Sequence, residues 1–293
     1  LTRLSKKYGS LYTEHNLAIS GIHTHSTPGG YLGYVLYDIP ALGFVKESYE
    51  ALVEGIVRSI DRAHNNLQPG SVMINRGELL DTSINRSPSA YANNPEEERA
   101  RYNHTVDKTM VHLRITTKSG KELGALNWFA VHGTSMNNTN QLISGDNKGA
   151  ASRLMEEWLQ DPSGSAPSKT PDREPVVTAF AQANCGDVSP NVQGAFCSDT
   201  GLPCEMDTST CNGKTQLCNG RGPNWPDHFA STRTIASRQV AAAQRLHRDA
   251  ATLLTGPVDS RHMYVDMTNR KVDLGDGKTG KTCKPAMGYS FGA

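Results

Sequence analysis

Apolar residues recur at helical spacing in three parts of the chain. Between Lys46 and Leu67 they fall three and four positions apart, and Pro69-Gly70 ends that segment. Lys148–Leu159 shows the same periodicity, and an Ala-rich stretch within Asp227–Leu254 extends it over a longer range. The pattern therefore predicts three substantial amphipathic helices.

Other segments alternate apolar and polar residues or are continuously apolar, which predicts strands. The predicted strands are Leu17–His23, Ser71–Leu79, Thr109–Thr116, Leu123–His132, Val176–Ala183 and His262–Leu274. Strands and helices interleave, so we predict an α/β fold, with α+β as the alternative. The expected architecture is a large mixed sheet system with flanking helices and an active site at the strand ends.

Charge and hydropathy exclude two classes of protein. The chain has 30 Lys and Arg against 29 Asp and Glu, so it lacks the basic excess of a general nucleic-acid surface. No apolar run reaches the roughly 18–20 residues of a membrane span. We therefore predict no nucleic-acid partner and no transmembrane segment in this chain. The Pro/Ser-rich stretch Asp161–Glu174 predicts a flexible loop.

Four of the six cysteines are spaced by seven residues in a polar, Gly-rich stretch, 185–221: Cys197, Cys204, Cys211 and Cys218. The short Cys pairs typical of zinc sites are absent, so two disulfides in an oxidising compartment fit better than a metal or free thiols. Four cysteines allow three pairings, and the spacing does not choose among them. Sequons at Asn85, Asn103 and Asn137 are compatible with a secreted or lumenal glycoprotein.

Three apolar segments end in polar, Gly-containing corners, where ligands of sheet-based enzymes gather. His23 and His25 form a His-x-His pair, and His132 follows a wholly apolar run. Two such imidazoles can bind one metal ion, or one can bind it while the other transfers protons. The alternative is a structural histidine pair. Three histidines at strand ends favour zinc, although no carboxylate ligand is evident.

Three further residues lie in polar turns. Ser189 either exposes a hydroxyl beyond a buried strand or caps a helix with Pro190 at its first position. Arg86 lies in the turn Asn85-Arg-Ser-Pro, where a solvated side chain is the default. Asp146 is predicted to cap the helix that follows it.

These corners together resemble the neutral ceramidase family, particularly its plant members. The resemblance covers nearly the whole chain in order. The matching stretches are ISGIHTHSTPGGY (19–31), NRSPSAYANNP (85–95), NWFAVHGTSM (127–136), ISGDNKGAA (143–151), ANCGDVSPNV (183–192) and KPAMGYSF (284–291).

The resemblance implies a zinc-dependent amidase that hydrolyses the N-acyl bond of ceramide, giving sphingosine and a fatty acid. It implies that His23 and His132 bind one zinc ion, whose remaining ligands are expected beyond residue 293. His25 would transfer protons, and Arg86 would stabilise the oxyanion or hold a substrate hydroxyl. Ser189 matches the family's serine nucleophile. Whether it or a zinc-bound water attacks stays open.

The resemblance also implies the disulfides Cys197–Cys211 and Cys204–Cys218, and a partner for Cys283 beyond the chain. Residues 1–293 would be part of a catalytic domain, without the family's immunoglobulin-like domain, and inactive alone. Ceramide at a membrane surface is the expected substrate. The alternatives are a His-x-His zinc amidohydrolase built as a repeating strand–helix barrel, and an inactive, truncated lipid-binding chain.

Overall fold

The structure is a computed structural model that describes residues 1–161 and 176–286. Most of the predicted loop Asp161–Glu174 therefore lies outside the described residues. The chain divides into two compact units. One comprises residues 1–18 with the described residues from 257 onward, and the other comprises residues 19–256.

Helices and strands are interspersed along the chain, so the predicted α/β class is confirmed. The α-helices of the described residues are α1 (Thr2–Tyr8), α2 (Val35–Asp38), α3 (Lys46–Asn65), α4 (Pro88–Ala92), α5 (Glu96–Arg99), α6 (Asp146–Gln160) and α7 (His228–Arg248). The strands are β1 (Gly70–Glu78), β2 (Ile84–Asn85), β3 (Thr109–Thr117), β4 (Glu122–Phe129), β5 (Val177–Gln182), β6 (Val188–Ser189), β7 (Gly194–Cys197), β8 (Cys218–Arg221), β9 (Thr252–Leu253), β10 (Lys271–Gly275) and β11 (Lys278–Lys281).

The larger unit is built on a five-stranded mixed sheet in the order β5-β4-β3-β1-β9. Strands β1, β3 and β4 pair antiparallel, whereas β4 and β5 pair parallel. Helix α6 lies between those parallel strands in the sequence, as a crossover connection requires. The antiparallel pairs do not fit a repeating strand–helix barrel, whose neighbouring strands are all parallel.

The core lies between this sheet and helices α6 and α7, which pack against each other. Phe129 of β4, Phe180 of β5 and Met155 of α6 are at most 1% exposed. Burial of such side chains stabilises a fold by about 1.5–3 kcal/mol each. Helix α7 begins with a capped turn, in which the Asp227 carboxylate accepts a hydrogen bond from the backbone N–H of Ala230 at 2.9 Å.

Two predicted strands are wrong. Leu17–His23 forms no strand, and the extended backbone there makes only an isolated bridge between Thr24 and Gly133. His262–Leu274 contributes only its end to a strand, because Lys271–Gly275 pairs with Lys278–Lys281 in a two-stranded hairpin. An apolar run becomes a strand only where a partner strand lies alongside, and periodicity does not report partners.

Candidate active site

His132 lies at the end of the apolar segment that continues β4, and its side chain is buried. Its backbone N–H donates to the carbonyl of Val188 at 2.9 Å. Its ring Nδ1 lies 2.6 Å from the carbonyl oxygen of Cys185. A carbonyl can only accept, so Nδ1 carries the hydrogen and Nε2 presents its lone pair. A metal-binding imidazole is typically held by such a bond at its other ring nitrogen.

His23 and His25 lie on a loop that docks against the corner after His132. The backbone N–H of His25 donates to the carbonyl of Gly133 at 3.1 Å. A Cβ at Gly133 would lie 2.6 Å from the backbone oxygen of His23, so only glycine permits this approach. His23 has a φ of 60°, in the left-handed region. The two rings therefore converge through a tight loop rather than through the alternation of a strand.

The three imidazoles form one cluster, as predicted. Nε2 of His23 lies 3.0 Å from Nε2 of His132 and 3.2 Å from Nε2 of His25. Two nitrogens bound to one tetrahedral zinc ion at about 2.0–2.1 Å stand roughly 3.3 Å apart. Imidazole nitrogens at these two separations from His23 Nε2 therefore fit the spacing of zinc ligands.

The surroundings of His25 and His132 favour the neutral form of these two rings, which is the form that binds metal. Burial lowers the pKa of His25, and the neighbouring His23 lowers it further. Burial likewise lowers the pKa of His132, and this outweighs the raising effect of its bond to the Cys185 carbonyl. Both rings thus stay unprotonated to lower pH than an exposed histidine.

Ser189 lies on β6, paired in register with Ile84 of β2, and is 7% exposed. Its Oγ accepts a hydrogen bond from the backbone N–H of Asn191 at 3.1 Å. No helix follows Pro190, so the helix-cap alternative is wrong. Its hydroxyl bonds the backbone locally, as serines in turns do.

Arg86 follows β2 and its side chain is exposed. A hydrogen bond holds its backbone in place. Its N–H donates to the carbonyl of Asp187 at 2.8 Å. The preceding Asn85 is buried, and its amide nitrogen donates to the Thr105 carbonyl and the Asp187 carboxylate. The sequon at Asn85 is therefore closed to glycosylation in the folded chain. The positive charge of Arg86 contributes to the lowered pKa of His132.

A cavity of about 530 Å³ brings these residues together, because Arg86, His132 and Ser189 all line it. The cysteine-rich loop forms another part of its wall through Met206 and Ser209. That loop is closed by the two disulfides that the resemblance implied: Cys197–Cys211 and Cys204–Cys218. The cysteine spacing predicted the crosslinks, but it gave no sign that the loop shapes the cavity.

Asp146 and Asn147 support the corner after His132, and the sequence did not assign them this role. Asp146 is the first residue of α6, whose N-cap is Gly145, and its carboxylate accepts hydrogen bonds from the backbone N–H groups of Ser135 and Met136. Asn147 donates to the carbonyl of His132 at 2.8 Å. Both side chains are at most 1% exposed. The prediction of a simple helix cap at Asp146 is thus wrong.

Comparison with known proteins agrees with the resemblance. A family model described as neutral/alkaline non-lysosomal ceramidase, N-terminal, matches residues 1–293. Neutral ceramidase 1 of Arabidopsis thaliana is 46% identical over 353 residues, covering 100% of this chain and 45% of that protein. Neutral ceramidase B of Dictyostelium discoideum is 47% identical over 288 residues, covering 97% of this chain and 39% of that protein.

A solved structure is similar as well. The crystal structure of neutral ceramidase from Pseudomonas aeruginosa superposes with a TM-score of 0.77 at 36% identity, covering 98% of this chain and 40% of that one. The chain thus spans under half the length of these relatives. A search of the helices among the described residues finds none long and apolar enough to cross a membrane.

Proposed function

Because the chain belongs to the neutral/alkaline non-lysosomal ceramidase family, we propose that its protein cleaves the N-acyl bond of ceramide, releasing sphingosine and a fatty acid. The observation that carries the proposal is the cluster of His23, His25 and His132. One ring nitrogen from each histidine lies within 4.8 Å of the other two, and His132 also lines the cavity that holds Ser189 and Arg86.

His23 and His132 would hold a zinc ion, and His25 is close enough to serve either as a further ligand or as a proton carrier. When bound, zinc supplies a Lewis acid that polarises the amide carbonyl. The hydrogen bond from His132 Nδ1 to the Cys185 carbonyl fixes the ring orientation that metal binding requires.

The remaining chemistry falls to residues of this chain. An attacking hydroxyl forms a bond to the carbonyl carbon and gives up its proton, which neutral His25 accepts. His25 then delivers this proton to the amide nitrogen as the carbon–nitrogen bond breaks, so that a neutral amine leaves. The Arg86 guanidinium stabilises the negative charge that develops on the carbonyl oxygen.

The attacking hydroxyl belongs to Ser189 or to water. If Ser189 attacks, its ester with the fatty acid must form and then be hydrolysed. Quenching the reaction with acid and measuring the mass of the Ser189 peptide separates the two routes. An acylated peptide supports attack by serine, and its absence under rapid turnover supports attack by water.

The site also indicates where the protein would act. Two disulfides close the loop beside the cavity, and such bonds persist in oxidising compartments. We therefore place the protein in the secretory pathway or outside the cell. Ceramide is a water-insoluble lipid, so the substrate would be presented at a membrane surface.

The test compares the intact protein with its His132→Ala variant, and with His262→Ala as a control at an exposed histidine outside the cluster. We expect the wild type and the control to bind one zinc ion and to release sphingosine from ceramide. We expect His132→Ala to lose both properties while remaining folded. Stoichiometric zinc in the folded variant would refute the ligand assignment. Cleavage of small polar amides but not of ceramide would refute ceramide as the substrate.

A further inference from the structure

Gln182 stands at the end of β5, between the two segments that carry the histidine cluster. Its Nε2 donates to the carbonyl of Val131 at 2.7 Å and to the carbonyl of Ile22 at 3.1 Å. Its Oε1 accepts from the backbone N–H of Val131 at 3.1 Å. Val131 directly precedes His132, and Ile22 directly precedes His23.

The three bonds determine how the amide is oriented. Two carbonyl oxygens require the NH₂ group, and one backbone N–H requires the amide oxygen, so a flipped amide would satisfy none of them. Val131 is completely buried, so its backbone groups have no water to replace these bonds. The Gln182 side chain therefore bonds the N–H and the carbonyl of Val131 and also the carbonyl of Ile22. These bonds hold the two histidine segments together as one rigid unit.

We infer that Gln182 is a positioning residue that sets the separation of His23 and His132, and through it the affinity of the cluster for zinc. Among the described residues, the other backbone links between the two segments join Gly133 to Thr24 and to His25, on the side that follows His23 and His132. Gln182 links the same two segments on the other side, through the residues that precede His23 and His132. Loss of either link would let the Nε2 atoms drift from their 3.0 Å separation.

This inference rests on the proposed metal site, and its test measures metal binding rather than turnover. Gln182→Met removes all three hydrogen bonds at nearly constant side-chain length. Gln182→Glu keeps an acceptor for the Val131 N–H. It replaces the NH₂ donor with a carboxylate oxygen, which the carbonyl oxygens of Val131 and Ile22 repel. The control is Thr178→Val on the same strand, which removes a hydrogen bond of 2.7 Å to the Ser152 carbonyl without contacting either histidine segment.

Zinc affinity is measured on the intact proteins by competition with a chromophoric chelator, and the visible spectrum of bound Co²⁺ reports ligand geometry. We expect both Gln182 variants to bind zinc about 10–100-fold more weakly and to change the Co²⁺ spectrum. Thr178→Val should match the wild type in both, although its melting temperature falls.

Two results would overturn the inference. One is a folded Gln182 variant whose zinc affinity lies within twofold of wild type; the other is an equal loss of affinity in Thr178→Val. Neither of these two results contradicts the proposed metal site. A wild type that binds no zinc would instead refute the metal site and the role of Gln182 together. If Gln182→Met does not fold, Gln182→Glu decides the question.

Discussion

His112 lies at the centre of a buried polar chain that makes the stability of the fold depend on pH. The side chain is completely buried between the sheet and α7. Its Nδ1 lies 2.7 Å from Oδ1 of the Asn127 side chain, and its Nε2 lies 3.1 Å from Nδ1 of His247. Burial lowers the pKa of His112 to about 4, against the raising effect of the Asn127 bond.

The size of the effect follows from that pKa. The unfolded chain binds a proton at His112 below about pH 6.5, whereas the folded chain does so only below about 4. Between these values the unfolded state holds more protons, so stability rises with pH and is lost as pH falls below 6.5. By this linkage, lowering the pH from 8 to 5 removes about 2 kcal/mol from the free energy of unfolding.

The assay is urea unfolding of the intact protein between pH 5 and 8, compared with His112→Gln. Glutamine retains a donor and an acceptor but does not titrate, so the variant should lose about 2 kcal/mol less over this range. Thr116→Ala is the control, because it removes a buried polar group from the same strand without removing a titrating group. A His112→Gln variant with the wild-type pH dependence would refute this reasoning.

Two further substitutions test the support of the site. Cys204→Ser opens the bridge to Cys218, which closes a loop of 15 residues, and should lower the free energy of unfolding by about 3 kcal/mol. Urea unfolding measures the loss, and an unchanged midpoint would contradict it. Asp146→Asn keeps a residue that tolerates the φ of 50° but removes a charged acceptor from Ser135 and Met136. We expect a loss of about 2 kcal/mol, and a loss below about 0.5 kcal/mol would show that these bonds contribute little.

Much of the fold could be predicted from local pattern alone. Helices α3, α6 and α7 and strands β1, β3, β4 and β5 all occur where periodicity placed them, with ends that differ by a few residues. Periodicity succeeds here because each of these segments satisfies its backbone hydrogen bonds in a regular element, and its apolar positions record which face is buried. The cysteine spacing indicated two disulfides, whereas their pairing agrees with the one that the family resemblance implied.

The sequence by itself identified the residue types of the site, because His-x-His, the histidine after an apolar run and the seven-residue cysteine spacing are local signals. The tertiary structure alone decided how they meet. It joined His23 to His132 across 109 positions, and it bridged them through Gln182. It also paired His112 with His247 across 135 positions. Such contacts depend on the packing of distant segments, which spacing along the chain does not encode.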